Sequence, residues 1–339
     1  MSPRAQILPV FVPQLGCPHR CVFCDQQRIS GQARPVTADE IQTITDQAAA
    51  FLPRGEKRQL AFYGGSFTAI PAARQEELLG AAKAAMERGA IDAIRLSTRP
   101  DAIDGEVLER LRRYGVETVE LGAQSMDDAV LRRSGRGHTA SDVERAAGEI
   151  KATGFRLVLQ MMTGLPGDSP EKDLETARRL IALRPDGVRI YPTVIVRGTP
   201  LEALWRAGEY REHTVEDAVA VCARLLPLFE AADIPVLRLG LNPTEELSGG
   251  EAVGGAYHPA LGELVRSRVL LDRARALLTG VPAGSAVTLG VPTGKASQMA
   301  GQKRGNLRAL TEEFSLSGLK IREIPGQTEE IRLLSVEKN

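Results

Sequence analysis

Short apolar runs alternate with longer stretches of helical spacing over most of the chain. Ile7–Val12 reads as a strand stopped by Pro13, and Ala38–Phe51 as a helix. The same pair recurs as Gln59–Tyr63 with Ala72–Glu87, Ala93–Ser97 with Gly105–Tyr114, and Thr118–Leu121 with short helices at Asp127–Arg133 and Ser141–Thr153. Arg156–Met161 with Pro170–Leu183 follows, then Gly187–Tyr191 with helices Leu201–Ala207 and Val215–Ala232. Strand and helix in alternation predict an α/β fold with a parallel sheet covered by helices. Six such units fit either a curved, partly closed barrel or an open doubly wound sheet, and periodicity does not choose between them.

The pattern then changes. Residues 241–257, with four glycines and a proline, read as a linker or mobile loop, which places a first domain at 1–240 and a small α/β module at 258–339. The module reads as helix Pro259–Leu278, strand Ala286–Val291, a short helix near Ser297–Ala300, helix Asn306–Phe314, and strands near Leu319–Ile324 and Glu330–Ser335. In the first domain, polar or Gly-rich tips follow nearly every strand: Gly64-Gly65-Ser66, Ser97-Thr98-Arg99, Gly122-Ala123-Gln124-Ser125, Thr163-Gly164-Leu165-Pro166-Gly167 and Pro192-Thr193. Parallel α/β folds collect ligand chemistry at the carboxyl ends of their strands, so these tips mark one functional rim.

Composition narrows the classes. With 43 Lys+Arg against 43 Asp+Glu, the chain as a whole makes no electrostatic case for nucleic acid or membrane, so any such case is local. No apolar run approaches the roughly 20 residues that span a bilayer. The start, Met1 to Ala5, lacks the pattern of a secretory signal, so a cytoplasmic protein with no membrane contact is expected. Only four cysteines are present, and Cys17, Cys21 and Cys24 crowd one short stretch. That distribution is not a disulfide framework; in a reducing compartment it favours metal ligation or redox chemistry. Cys222, in an apolar helical pattern, reads as a packed core residue.

In Cys17-Pro18-His19-Arg20-Cys21-Val22-Phe23-Cys24, gaps of three and two place three thiolates on one tight loop. Such a set can ligate three irons of a 4Fe–4S cubane and leave the fourth iron open. A structural zinc site wants four ligands; His19 lies between the cysteines, and His138, His213 and His258 are isolated.

This motif, just after a first strand and with an aromatic residue before its last cysteine, resembles that of the radical S-adenosylmethionine enzymes. Tyr63-Gly64-Gly65-Ser66-Phe67 is similar to that family's second-strand glycine motif. Leu96 to Asp101, Val119 to Ser125, Arg136-Gly137-His138-Thr139, Met162 to Gly167, Arg189 to Val194 and Gly198-Thr199-Pro200-Leu201 extend the likeness to the radical domain of the elongator catalytic subunit, which modifies wobble uridine in tRNA. The resemblance implies a partial (βα)6 TIM-like barrel, a 4Fe–4S cluster, S-adenosyl-L-methionine and a reducing partner such as flavodoxin or ferredoxin. The cysteine gaps are narrower than in that subunit, and no acetyltransferase domain is expected after the barrel, so use of acetyl-CoA stays open.

By the same resemblance, Cys17, Cys21 and Cys24 ligate the cluster. Gly64, Gly65 and Ser66 hold the methionine amino end, where glycine lets main chain approach a ligand closely. Ser97 and Arg99 face the ribose or carboxylate. Glu120, Gln124, Arg136 and Gln160 supply further polar contacts, with an internal salt-bridge network as the other reading of Arg99, Glu120 and Arg136. Val194 offers main chain to the adenine. Tyr191 and His138 are the candidate catalytic residues beside the substrate, and both could instead be satisfied packing residues.

In the carboxyl-terminal module, the strand, short helix, turn and second helix resemble a KH-type RNA-binding module. Its turn carries Gly301-Gln302-Lys303-Arg304-Gly305, in which Arg304 replaces the expected second glycine. Gly301 with Lys295, Lys303, Arg304 and Arg308 forms a candidate RNA-binding set, although from Val281 onward eight Lys+Arg face six Asp+Glu. Three function classes follow: a radical enzyme modifying tRNA or rRNA, a radical enzyme on a small molecule or peptide (anaerobic porphyrinogen oxidase-like), and a non-enzymatic iron–sulfur or zinc protein.

Overall fold

A computed structural model describes residues 6–12, 17, 19–30, 34–51, 56–245, 247–327 and 330–338, without the side chains at 27 and 30. The Met1 to Ala5 start and the Pro13 stop of the first strand lie outside these. The chain divides into two compact units: Met1–Ala218 with Pro227–Pro259, and Val219–Leu226 with Ala260–Asn339.

The first unit holds β1 (Gln6–Phe11), β2 (Arg58–Tyr63), β3 (Ala93–Thr98), β4 (Val116–Gln124), β5 (Arg156–Thr163), β6 (Gly187–Pro192), β7 (Val194–Val196), β8 (Val236–Leu239) and β9 (Ala252–Gly255). Seven of these form one sheet in the order β1-β2-β3-β4-β5-β6-β8, every pairing parallel. With its helices this is a partial TIM-like half-barrel of the α/β class, as expected, carrying one strand more than the six read from the sequence.

The alternation within each strand explains the layering. Leu60, Phe62, Ile94, Leu96, Val119, Leu121, Leu157, Leu159, Val188 and Ile190 are fully buried. Each such side chain contributes roughly 1.5–3 kcal/mol by leaving water. The intervening positions, Arg95, Glu120, Gln160 and Arg189 among them, carry polar or charged groups on the opposite, concave face. Local chemistry starts the helices where the pattern predicts. Asp104 accepts from Val107 N, Thr139 and Thr214 form capping boxes with Asp142 and Asp217, and Ser169 caps a helix whose first residue is Pro170.

Two differences from the sequence reading concern the end of this unit. β8, only four residues between Pro235 and Gly240 with Arg238 inside it, is too short and too polar to stand out as a strand. Residues 241–257, read as a linker or mobile loop, contain β9, which pairs antiparallel with β7 through Val194↔Gly255, Ile195↔Gly254 and Val196↔Ala252. The glycines that suggested a loop instead permit close backbone pairing.

In the second unit the helix Leu261–Leu278 packs with β10 (Ser285–Pro292), the helices Ala296–Ala300 and Gly305–Glu313, β11 (Gly318–Ile324) and β12 (Arg332–Lys338). The sheet order is β11-β10-β12, parallel on one side of β10 and antiparallel on the other. Cys222 is fully buried. No helix among the described residues is long and apolar enough to cross a membrane.

Candidate active site

The cysteine loop lies against the carboxyl end of β4. Val22 N donates to Ser134 O, Leu201 N donates to Val22 O, and Cys24 N closes a turn on Cys21 O. The segment 135–138 holds the loop from the other side. Gly137 has φ of +75°, and a Cβ there would lie 2.1 Å from the His19 ring, so only glycine lets His19 settle on this backbone. Arg136 donates from Nη1 to Cys21 Sγ at 3.3 Å and from Nη2 to Gly122 O at 2.7 Å. It thereby ties a thiol to the tip of β4.

Around that tie, the predicted residues fall into two groups. The first comprises Cys21, Gln124, Arg136 and His138. Gln124 sits at the end of β4 with φ of +66°, a left-handed conformation that costs a side-chain-bearing residue on the order of 1 kcal/mol. Gln124 Oε1, Arg136 Nε and His138 Nδ1 are all buried with no hydrogen-bond partner among the described residues. Unpaired buried polar atoms are uncommon because each costs about 1–3 kcal/mol, and three around one strand end mark a place built for a ligand. His138 Nε2 lies 3.2 Å from Ala123 O. Burial, then the neighbouring Arg136 charge, lowers its pKa to about 4, so the ring is neutral at ordinary pH. Arg99, expected on the ribose or carboxylate, is buried and turned instead to Asp101 and to the Arg136 carbonyl, where it braces the 135–138 segment.

The second group lies on the concave face of the sheet. Glu120, fully buried, is ion-paired with Arg95 Nη2 at 2.5 Å and Arg189 Nε at 2.8 Å, and accepts hydrogen bonds from Tyr63 OH at 2.8 Å, Arg189 Nη2 at 3.1 Å and Gln160 Nε2 at 3.1 Å. Gln160 also reaches Ser97 Oγ at 3.4 Å. Of the two readings of Glu120, the salt-bridge network is what its side chain makes. Arg189 Nη1 reaches the Tyr191 hydroxyl at 3.4 Å, which places Tyr191 at the edge of this network. Burial opposes the Arg189 charge most strongly, but Glu120 together with Tyr191 and Tyr63 outweighs it and raises the Arg189 pKa.

The remaining predicted residues are placed separately. Gly64, Gly65 and Ser66 follow β2, with Ser66 buried and its hydroxyl capping nothing. Val194 is buried in β7, across from Gly255. In the second unit, Lys303 and Arg304 are exposed and left-handed at φ of +50° and +62°, while Gly305 is ordinary right-handed helix. The glycine this turn requires is Gly301, at φ of +74°, where a Cβ would lie 2.8 Å from the Asn306 side chain. Asn306 locks the turn by donating to Ser267 and to Met299 O. Lys295 Nζ donates to Gln298 Oε1, Arg308 is exposed, and none of the described ion pairs involves Lys303, Arg304 or Arg308.

Sequence reasoning missed Tyr63, Arg95, Arg189 and Arg238 as site residues. The signal was present: Ile94-Arg95-Leu96, Val188-Arg189-Ile190 and Leu237-Arg238-Leu239 each set a cation between two apolar strand residues. It also missed the carboxyl pair after β5. Burial, then the neighbouring Asp168 carboxylate, pushes the Asp173 pKa up to about 10.

The profile of the Radical SAM superfamily matches residues 11–180, and that of the Radical SAM C-terminal domain matches residues 185–270. The chain belongs to the radical SAM superfamily. The human Elongator complex protein 3 is 38% identical over 138 residues, 40% of this chain and 25% of that one. The tRNA uridine(34) acetyltransferase of Dehalococcoides mccartyi is 34% identical over 166 residues, 46% of this chain and 36% of that one. The structure of the archaeal Methanocaldococcus infernus Elp3 with an N-terminal deletion shares the fold at TM-score 0.63 and 21% identity, over 80% of this chain and 63% of that one. The chain spans from 25% to 64% of the length of the curated relatives it matches first.

Membership of the radical SAM superfamily implies a 4Fe–4S cluster and S-adenosylmethionine, and the donor set fits them. Burial, then the Cys21 thiol and more weakly Cys17, push the Cys24 pKa up to about 12. The Cys24 thiol keeps its proton until a metal replaces it. Gln26 donates to Cys24 Sγ at 3.2 Å and Arg136 to Cys21 Sγ, hydrogen bonds of the kind that tune cluster thiolates. Among the described residues, no three His, Cys, Asp or Glu side chains converge on a single metal ion. A cubane takes each thiolate on a different iron. The unpaired atoms of Gln124 and Arg136 next to this loop suit the polar groups of a nucleotide cofactor.

Proposed function

We propose that this radical SAM protein is an enzyme that modifies RNA, with tRNA as the favoured substrate. The observation that carries the reading is the likeness of the half-barrel to the tRNA uridine(34) acetyltransferase, joined to a cysteine loop that abuts unpaired polar atoms. The exposed cations at the Gly301 turn add a surface suited to phosphate.

The roles are those that the family resemblance implies, and the placement of Arg136 beside Cys21 supports them. Cys17, Cys21 and Cys24 would hold the cluster, and its electron would come from a reducing partner such as flavodoxin or ferredoxin. Gly64, Gly65 and Ser66 take the methionine amino end, while Gln124 Oε1 and Arg136 Nε meet further polar atoms of the cofactor. When bound, the cluster and S-adenosylmethionine would supply radical chemistry at an unactivated C–H of the substrate. The protein keeps that chemistry contained: neutral His138 brings no mobile proton at ordinary pH, and the Arg136 tie fixes the loop relative to β4. The Glu120 network keeps the concave face rigid, and Tyr191 lines it beside the substrate.

The test has two arms. Anaerobically reconstituted and reduced protein should convert S-adenosylmethionine to 5′-deoxyadenosine, and Cys24→Ala should abolish both that product and the iron–sulfur absorbance. Nucleoside mass profiles of tRNA and rRNA from cells with and without the gene should differ in at least one modified nucleoside. Identical profiles beside intact cofactor cleavage would refute the RNA reading and leave a small-molecule radical enzyme.

A further inference from the structure

The concave face of the half-barrel carries more positive charge than it neutralises. The strand registers define its inner row as Gln59, Ala61 and Tyr63 on β2, Arg95 and Ser97 on β3, Thr118 and Glu120 on β4, Val158 and Gln160 on β5, Arg189 and Tyr191 on β6, and Arg238 on β8. Arg156, at the amino end of β5, is paired with Glu117 and Asp186 and drops out of the balance. The charged groups left are Arg95, Arg189 and Arg238 against one carboxylate, Glu120.

Glu120 is already divided between Arg95 and Arg189. Arg238 has no carboxylate among the described residues. It donates from Nε to Gly240 O and from Nη2 to Leu241 O, both at 3.1 Å, and these contacts orient the guanidinium without neutralising it. A register slip between Val188 and Arg189 pairs Arg238 with Arg189 across adjacent strands. Like charges directly opposite one another are destabilising. Burial and the Arg189 charge both depress the Arg238 pKa, and Tyr191 lies within the field of both cations. A half-buried pair of arginines with one shared acid already spent elsewhere suits an incoming oxyanion, which an arginine fork binds with charge-assisted hydrogen bonds.

We propose that Arg238, with Arg189 and the Tyr191 hydroxyl beside it, forms a subsite on the concave face for a phosphoryl oxyanion of the substrate. The subsite rests on the RNA reading only for the source of that phosphate, which is a phosphodiester of RNA or the phosphate of a free nucleotide. It makes Arg238 a specificity residue that holds the substrate by its charge and leaves the radical chemistry to the cysteine end of the site.

The experiment is a binding titration on anaerobically prepared full-length protein with uridine 5′-monophosphate, uridine and bulk tRNA as probes. Wild-type protein should bind the monophosphate at least tenfold more tightly than uridine, and inorganic phosphate should compete. Arg238→Gln should erase that preference, Arg238→Lys should keep most of it, and neither should alter uridine binding. Melting temperatures identify any variant that is not folded; phosphate competition in the wild type does not depend on one. Equal affinity of wild-type protein for uridine and its monophosphate, or an unchanged preference in folded Arg238→Gln, would overturn the subsite. A parallel loss of tRNA affinity in Arg238→Gln assigns the phosphate to RNA. Unchanged tRNA affinity beside lost monophosphate binding keeps the subsite and removes the RNA reading.

Discussion

Two polar clusters share the half-barrel and differ in one respect. On the concave face, every oxygen of Glu120 is engaged by Arg95, Arg189, Tyr63 or Gln160. At the carboxyl end of β4, Gln124, Arg136 and His138 each keep one buried atom unpaired, and Gln124 holds a left-handed backbone as well. Arg95 Nε and Arg189 Nε on the concave face also lack a hydrogen-bond partner among the described residues, so the difference is the shared acid. A cluster gathered on one fully engaged carboxylate acts as scaffold, whereas the cluster at β4 has no such centre and leaves room for a partner the chain itself does not provide. Both clusters are buried and charged, so burial alone would not have separated them.

The comparison is most exposed to change at Glu120. Replacing it with Gln leaves Arg95 and Arg189 buried without their shared counter-charge, a loss of about 3–5 kcal/mol. At 2–4 °C per kcal/mol for a domain of this size, that amounts to a fall of roughly 10 °C in melting temperature. A fall of no more than a degree or two would mean that the network is not scaffold.

An acid titration probes the other cluster. The His138 pKa is lowered to about 4 in the folded chain, against an ordinary value near 6.5. Between those values the unfolded chain takes up a proton that the folded chain refuses. Stability contributed by the neutral ring is therefore complete above pH 7 and declines as pH falls from 6.5 towards 4, by up to about 3 kcal/mol. Wild-type protein should thus lose more stability between pH 7.5 and 5 than His138→Gln does; identical losses would place the ring in water.

The smallest effect on stability is expected at Gln124. Gln124→Gly relieves the left-handed backbone while removing a side chain whose oxygen has no protein partner, so stability should change by no more than about 1 kcal/mol. Calorimetry should nevertheless show S-adenosylmethionine binding to the reconstituted protein weakened roughly tenfold. A large loss of stability with cofactor binding intact would reverse the roles assigned to the two clusters.

Much of the barrel was legible because its strands and helices carry strong, separate periods. The helices Ala38–Phe51 and Ala72–Glu87 fall where their patterns place them, and the caps at Asp104, Thr139 and Thr214 are written locally. What stayed hidden were short, weakly patterned pieces completed by distant partners. β8 is held by β6, and β9 takes its form from β7. At the site, the cysteine triplet was visible because its chemistry is set by spacing within one loop. Both readings of Arg99 stayed open because sequence shows that a cation sits at a strand tip but not which way it turns; in the fold it turns to Asp101.

The chain's linear order therefore determined the α/β alternation, the cysteine loop and the glycine positions, since these depend on neighbours a few residues away. Only the folded arrangement decided that Glu120 is spent on two arginines, that Arg136 spans from Cys21 to Gly122, and that Arg238 lies beside Arg189 with no acid of its own among the described residues. Charge balance and hydrogen-bond completion are properties of groups that meet in space, and residues far apart in sequence settle them together.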